Sequence, residues 1–327
     1  MSDLQGKILH ILKDGKHHSA ASISIKLGIA ISIVEKYVMQ LKSIGALTSI
    51  YGQAEFKLAV SLDLLSKQGI TDYLANEGIT PDYNIKIFQS LDSTNRYARE
   101  QAELSANSGL VVLAEQQTAG RGRRGKNWIS PFASNIYMSV VWDFPKGAES
   151  TQGLSLAIGV GVRRALLALG IKDVQLKWPN DIFVNNRKLG GILIEIIGAP
   201  NGACSVIVGI GVNVSMPDSF GYKIDQDWID LSQISKAIIS RDELCAKLIA
   251  NIFKILKNFY DIGFPAYLYE WQDADFLKNK VCIINVSHES KTGTVLGVDD
   301  RGALRMRLLS GEEQRFVGGE ISVRIDK

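Results

Sequence analysis

Apolar positions in the first sixty residues recur at three- and four-residue spacing and then change to alternation. The spacing predicts helices over 5–12, 18–27 and 31–44, with a turn at Gly28, and then short strands over 47–50 and 55–59 around Tyr51-Gly52-Gln53. Helix, helix, turn, helix, hairpin is the order of a winged helix-turn-helix, whose third helix would enter the major groove. A helical connector follows through Leu64-Leu65 and 70–75, ended by Gly78 and Pro81.

From residue 85 strands and helices intermingle. Strands are predicted over 85–89, 110–114, 135–144, 174–178, 182–184, 188–197 and 204–214, and helices over 96–104, 153–169, 244–259 and 265–271. The turn Asn185-Asn186-Arg187 between two of those strands is a hairpin signal. Over 281–325 the pattern becomes short strands with turns at 287–289, 299–302 and 310–312, which predicts a small antiparallel barrel. The expectation is an α+β multidomain chain divided at 1–62, 63–273 and 274–327.

At 327 residues with 46% hydrophobic composition, the chain is long enough for more than one core. The formal net charge of +3 excludes a general nucleic-acid coat but leaves room for a local basic site. Cys204, Cys245 and Cys282 have spacings that fit neither a zinc site nor a disulfide framework. No apolar run reaches membrane-spanning length and no leader precedes the first helix, so the expectation is a cytoplasmic protein without a membrane partner.

The strongest chemical signal is Gly120-Arg121-Gly122-Arg123-Arg124-Gly125-Lys126-Asn127-Trp128. Glycines at short spacing let backbone N–H groups converge on an anion, and interleaved cations repel one another until an anion arrives. A solvated basic loop would use the same residues. A P-loop is rejected: Asn127 stands where Ser or Thr should hold magnesium, and Pro131 would break the helix that must follow. Asp92-Ser93-Thr94-Asn95 marks a strand-to-helix junction, where short polar side chains cap a helix or meet a neutral polar ligand. Lys177-Trp178-Pro179-Asn180-Asp181 presents lysine and aspartate at a strand end, and Gly190-Gly191 after Lys188 weakens a strand where something must come close.

Together these motifs resemble the bifunctional biotin–protein ligases of bacteria, which are also biotin-operon repressors. The matching stretches are 92–95, 120–125 with Trp128, 177–181, 187–193 and Gly318-Gly319-Glu320-Ile321-Ser322, in the family's order and spanning nearly the whole chain. The resemblance implies a winged helix-turn-helix, a central mixed α/β ligase domain of class II synthetase type, and a C-terminal SH3-like barrel. It implies an enzyme that makes biotinyl-adenylate from biotin and ATP with Mg2+, then biotinylates the biotin carboxyl carrier protein of acetyl-CoA carboxylase. By this resemblance Ser93, Thr94, Asn95, Gln117, Arg121, Gly122, Arg123 and Lys188 hold biotin. Arg121, Arg123, Arg124, Trp128, Lys177, Asn180, Asn213 and Trp228 belong to the adenylate and ATP side. Lys188, Arg123 and Asp181 carry the chemistry, with Asp181 near the metal. A carboxylate attacking a phosphate brings two anions together, so preplaced cations such as Lys188 and Arg123 are what the chemistry requires.

The same resemblance implies an adenylate-bound homodimer on biotin operator DNA, with Ser32, Lys36, Gln40 and Lys42 among the contacts. The long apolar strands of the central sheet offer an edge for such pairing. The N-terminal unit departs from the family: it lacks a Gly-x-Gly wing turn, and residues 1–60 hold seven Lys and four Asp or Glu with no arginine. A ligase with a vestigial DNA-binding domain is the alternative. A lipoate–protein ligase, or a sensor without catalysis, would share parts of the pattern.

Overall fold

The computed structural model describes residues 3–12, 14–43, 49–51, 55–57, 63–79, 84–104, 107–145, 147–198, 202–221, 224–286, 289–318 and 321–325. The N-terminal unit comprises α1 (Asp3–Leu12), β1 (His18–Ser19), α2 (Ala20–Leu27), α3 (Ile31–Ser43), β2 (Ser49–Tyr51) and β3 (Glu55–Lys57). His18 and Ser19 are not helical as their spacing predicts. They pair with Phe56 and Glu55, because the Ser19 hydroxyl caps α2 by accepting from Ser22 N at 3.0 Å. Ile8, Leu9, Leu12, Ile23, Val34 and Val38 form a core of their own, which Phe132 from the central unit joins. The wing turn at 52–54 lies outside the described residues, as do Gly319 and Glu320.

The central unit begins with α4 (Lys67–Asn76) and runs through β4 (Ile85–Phe88), α5 (Thr94–Leu104), β5 (Val111–Ala114), β6 (Ile136–Phe144), α6 (Leu154–Ala168), β7 (Gln175–Lys177), β8 (Asp181–Val184), β9 (Arg187–Gly198) and β10 (Cys204–Val212). It closes with α7 (Asp218–Gly221), α8 (Arg241–Ile262) and α9 (Leu268–Asp273). Its described strands form one mixed sheet in the order β4-β5-β6-β10-β9-β8-β7. Only β4 and β5 pair in parallel; the others pair antiparallel. The long strands β6, β9 and β10 are therefore interior. Its edges are β4 and β7, of four and three residues, which corrects the expectation of a long apolar edge.

Alternation along the strands decides the two faces. Met138, Val140, Ile192, Val206, Val208 and Ile210 join the large core with α6 and α8. Val141 and Ile207 face the other way and pack with Ala98 of α5. On that second face Ser139, Gly191, Gly209 and Gly211 are small, and the space they leave is where ligand chemistry can sit.

The C-terminal strands β11 (Val281–Val286), β12 (Glu289–Val298), β13 (Leu304–Leu308), β14 (Glu313–Phe316) and β15 (Ile321–Ile325) make an antiparallel sheet in the order β14-β13-β12-β11-β15. It shares the large core, and Trp178 Nε1 donates to Gly302 O at 3.0 Å. Cys204, Cys245 and Cys282 are free and buried. No described helix is long and apolar enough to cross a membrane.

Asp275 sits at the junction of the two units, in a segment that runs beside β7. Its Oδ1 accepts from Leu277 N at 2.9 Å, whereas its Oδ2 is buried without a hydrogen-bond partner among the described residues. Burial pushes this carboxyl from 3.8 up to about 6, against the pull of the Leu277 N–H and nearby lysines. Between those two values the unfolded chain ionises while the folded chain keeps its proton, so this group withdraws stability as pH rises through that window. Asp275→Asn should therefore gain stability relative to the parent as pH rises from 4 to 7. Urea unfolding at the two pH values measures this, and an unchanged difference between them would contradict the assignment.

Candidate active site

A cleft of about 1180 Å3 opens on the second face of the central sheet, beyond the N-terminus of α5. Helix α5 starts at Thr94, two residues earlier than the pattern predicts, because Ser93 caps it by accepting from Arg96 N at 3.4 Å. Thr94 and Asn95 are thereby turned onto the sheet and buried. Thr94 N donates to Gln117 Oε1 at 2.9 Å, and Gln117 Nε2 donates to Ser130 Oγ at 3.0 Å. Ser139 Oγ lies 2.8 Å from Thr94 Oγ1 and 2.6 Å from Asn95 Oδ1. This end of the cleft is a ring of neutral donors and acceptors.

The glycine-arginine stretch folds as a narrow hairpin across the cleft. Gly122 N donates to Lys126 O at 2.7 Å and Trp128 N to Gly120 O at 2.9 Å. At its tip Arg124 and Gly125 take φ of +56° and +69°, the left-handed region that tight reversals require. Trp128 is laid onto the sheet where side chains are absent. A Cβ on Gly211 would come within 2.5 Å of its indole and one on Gly191 within 3.4 Å. Gly211→Ala should therefore unseat Trp128, lowering the free energy of unfolding by about 1–3 kcal/mol and shifting tryptophan emission to the red. Denaturant titration followed by fluorescence checks both.

Lys188 reaches the same face through a bulge. Ile182 pairs with Gly190 but Phe183 with Lys188, so Leu189 is an extra residue in β9. Strict alternation would put Lys188 and Gly191 on opposite faces; the bulge brings the Lys188 Cε to 3.5 Å from a Gly191 Cβ position. Lys188 Nζ lies 2.7 Å from Asp181 Oδ1, the two side chains being 14% and 20% exposed, and 5.4 Å from the centre of the Trp128 ring.

Nearby, Arg123 Nη1 donates to Asn180 Oδ1 at 3.2 Å, and Asn180 Nδ2 donates to Ile192 O at 2.6 Å. Burial pushes Arg123 down from the ordinary guanidinium value, with Asp181 opposing and Arg124 adding to the shift. Burial likewise lowers Lys177, which Asp181 partly offsets and Lys188 reinforces. Several desolvated cations share one carboxylate here, an arrangement suited to a polyanion.

Of the residues singled out from sequence, Ser93, Thr94, Asn95 and Gln117 line one end of the cleft. Arg121, Gly122, Arg123, Arg124, Trp128, Lys177, Asn180, Asp181 and Lys188 line the rest. Asn213 and Trp228 do not. Asn213 is buried, its amide donating to Ile229 O at 3.1 Å, and Trp228 lies with Arg187 and Asp225 in a neighbouring depression. Ser32 and Lys36 are exposed on α3, in the N-terminal unit; the side chains of Gln40 and Lys42 lie outside the described residues. Sequence reasoning missed Ser130, Ser139 and Glu195. Only Glu195 had a signal, its parity with Gly191 and Leu193 on one strand. It also missed the wall that Ile283, Val323 and Arg324 contribute from the C-terminal sheet.

A profile of the Biotin/lipoate A/B protein ligase family matches residues 87–213, and one of the Biotin protein ligase C terminal domain matches 279–324. The chain is 32% identical over 318 residues to the bifunctional ligase/repressor BirA of Salmonella typhimurium, covering 97% of this chain and 96% of that one. The corresponding Bacillus subtilis protein is 27% identical, with 90% of each chain covered. Among solved structures, the biotin protein ligase of Aquifex aeolicus in complex with biotin and ATP matches with a TM-score of 0.63 at 24% identity, covering 74% of this chain and 99% of that one.

Proposed function

Because the chain belongs to the biotin–protein ligase family, and is a biotin–protein ligase, we propose that it joins biotin and ATP into biotinyl-adenylate and passes the biotinyl group to a lysine of the biotin carboxyl carrier protein of acetyl-CoA carboxylase. The observation that carries this reading is the division of one cleft into a neutral polar ring and a cationic wall. The ring of Ser93, Thr94, Asn95 and Gln117 suits a urea head group, and the wall around Lys188 suits a carboxylate meeting phosphates. Ammonium and guanidinium groups already in place stabilise the charge that develops when the biotin carboxylate attacks. Trp128 Nε1, buried without an acceptor among the described residues, is a donor that a bound adenylate could use.

Mg2+ would enter with the nucleotide. Among the described residues no group of three or more His, Cys, Asp or Glu could hold an ion; Asp181, beside Lys188, would hold it together with the phosphates. The ion's contribution would be to neutralise phosphate charge. The glycine-arginine hairpin, by covering the cleft, would keep water from the mixed anhydride until a lysine arrives.

The test is purified protein with ATP, Mg2+ and a carrier domain, given biotin or lipoate. Biotin-dependent, ATP-dependent labelling of the carrier lysine is expected. Transfer of lipoate instead would favour the lipoate ligase alternative, and pyrophosphate exchange without any transfer would favour a sensor.

The near full-length likeness to ligase/repressors, N-terminal unit included, supports a second role as a biotin-responsive repressor. In this reading the N-terminal unit is a winged helix-turn-helix with α3 as its reading helix, the C-terminal sheet is an SH3-like barrel, and the adenylate-bound chain dimerises on a two-fold operator. Titrating DNA from upstream of the organism's biotin genes, with and without biotinyl-adenylate, tests it. Identical non-specific binding in both states would leave a ligase with a vestigial DNA-binding domain.

A further inference from the structure

Glu195 lies between the neutral ring and the glycine-arginine hairpin. It follows Gly191 and Leu193 on the site face of β9, and its Oε2 accepts from Asn95 Nδ2 at 2.7 Å. The same oxygen lies 3.6 Å from Arg121 Nη2 of the glycine-arginine hairpin.

An asparagine amide is almost symmetric in shape, so its orientation is set by its partners. A carboxylate accepts only. Glu195 therefore forces the Asn95 NH2 toward β9, where Leu193 O lies at 3.4 Å, and leaves Oδ1 to accept from Ser139 at 2.6 Å. Ser139 has one proton, and Asn95 Oδ1 receives it. The 2.8 Å contact between Ser139 and Thr94 is then made with the Thr94 hydroxyl as donor, and the same proton has a second acceptor in Gln117 Oε1 at 3.2 Å. Thr94 Oγ1, its proton so occupied, faces the cleft as an acceptor. An acceptor at that position matches the N–H groups of a urea ring and opposes a ligand that presents oxygen there.

We propose that Glu195 is a positioning residue that fixes the polarity of the head-group pocket through Asn95, Ser139 and Thr94, and thereby selects ligands with ring N–H donors. This rests on the ligase reading above. Glu195→Gln removes the acceptor-only partner, so the amides can turn and the relay can reverse; Ser139→Ala cuts the relay with Glu195 intact.

The experiment compares KM and kcat for biotin, for ATP, and for the carbamate analogue of biotin in which oxygen replaces one ureido N–H. The parent should prefer biotin by about a hundredfold or more, since a site built around a hydrogen bond rejects the analogue lacking it. In both variants that ratio should fall about tenfold, with the KM for ATP unchanged. A merely structural role would raise both KM values for the acids together and leave the ratio as it was. An unchanged ratio in active variants overturns this proposal alone. Absence of biotin turnover in the parent overturns the ligase reading and this proposal with it.

Discussion

Replacing Lys188 with alanine lowers the rate of biotin-dependent ATP–pyrophosphate exchange by about a hundred- to a thousand-fold, or roughly 3–4 kcal/mol of transition-state stabilisation. Two effects act in the same direction. The ammonium that would face the developing charge is lost, and Asp181, 2.7 Å from it in the parent, keeps one cation fewer to offset its charge beside incoming anions. The fold should survive, because the hydrogen bonds that hold this segment are main-chain: Lys188 N to Asp227 O and Ile229 N to Lys188 O, both at 3.0 Å. Thermal melting of the variant close to that of the parent, with exchange reduced as stated, is the expected pair of measurements. Near-normal exchange would remove Lys188 from the chemistry.

Glu115→Gln destabilises the protein by about 3–5 kcal/mol, the ordinary cost of leaving one member of a buried ion pair without its partner. Glu115 is 0% exposed and Arg241 3%, with Oε2 and Nη1 2.8 Å apart. The other Glu115 oxygen accepts from Leu65 N at 2.6 Å. Arg241 also donates to Asp63 O at 2.5 Å and to Asn135 O at 2.8 Å. Burial alone would lower the Arg241 pKa, but the Glu115 charge and hydrogen bond outweigh it and the net shift is upward, so this guanidinium stays charged. Glutamine preserves the shape and removes the charge, leaving a cation that cannot shed its proton in a buried site. Urea unfolding followed by circular dichroism should show a clearly lower midpoint, and a loss under about 1 kcal/mol would mean that Asp63 compensates.

The Glu115 network also joins separate parts of the chain. Residues 63–65 precede α4, Arg241 opens α8, and Glu115 directly follows β5, two residues before Gln117. Phe132, at the far end of the same stretch, sits in the N-terminal core. The segment that holds the cleft's hairpin is thus anchored at both ends to elements outside the cleft.

Much of this architecture was legible in the residues. The apolar runs Leu110 to Ala114 and Asn135 to Phe144 announced strands, because a strand buried on both faces reads as a nearly continuous apolar stretch. The glycine pair at 190–191 signalled close approach, and what approaches is the Gly211 carbonyl at Gly190 and the Trp128 ring at Gly191. Boundaries moved where a capping side chain decided them, as at Ser19 and Ser93, since one hydrogen bond outweighs a residue or two of periodicity.

What the sequence by itself determined is therefore local: which stretches are helix or strand, where glycine admits a ligand or an indole, and which polar clusters carry chemistry in an order that identifies the family. Tertiary structure alone decided that the longest strands are interior, that a bulge at Leu189 brings Lys188 onto the site face, and that Asn213 turns away from the cleft. It also decided that Asn95 meets Glu195 100 positions away and that Glu115 meets Arg241 126 positions away. The reason is physical. Periodicity records how a residue faces its own element, whereas the partner of a buried charge or amide depends on which elements become neighbours when the sheet assembles, and no local pattern encodes that.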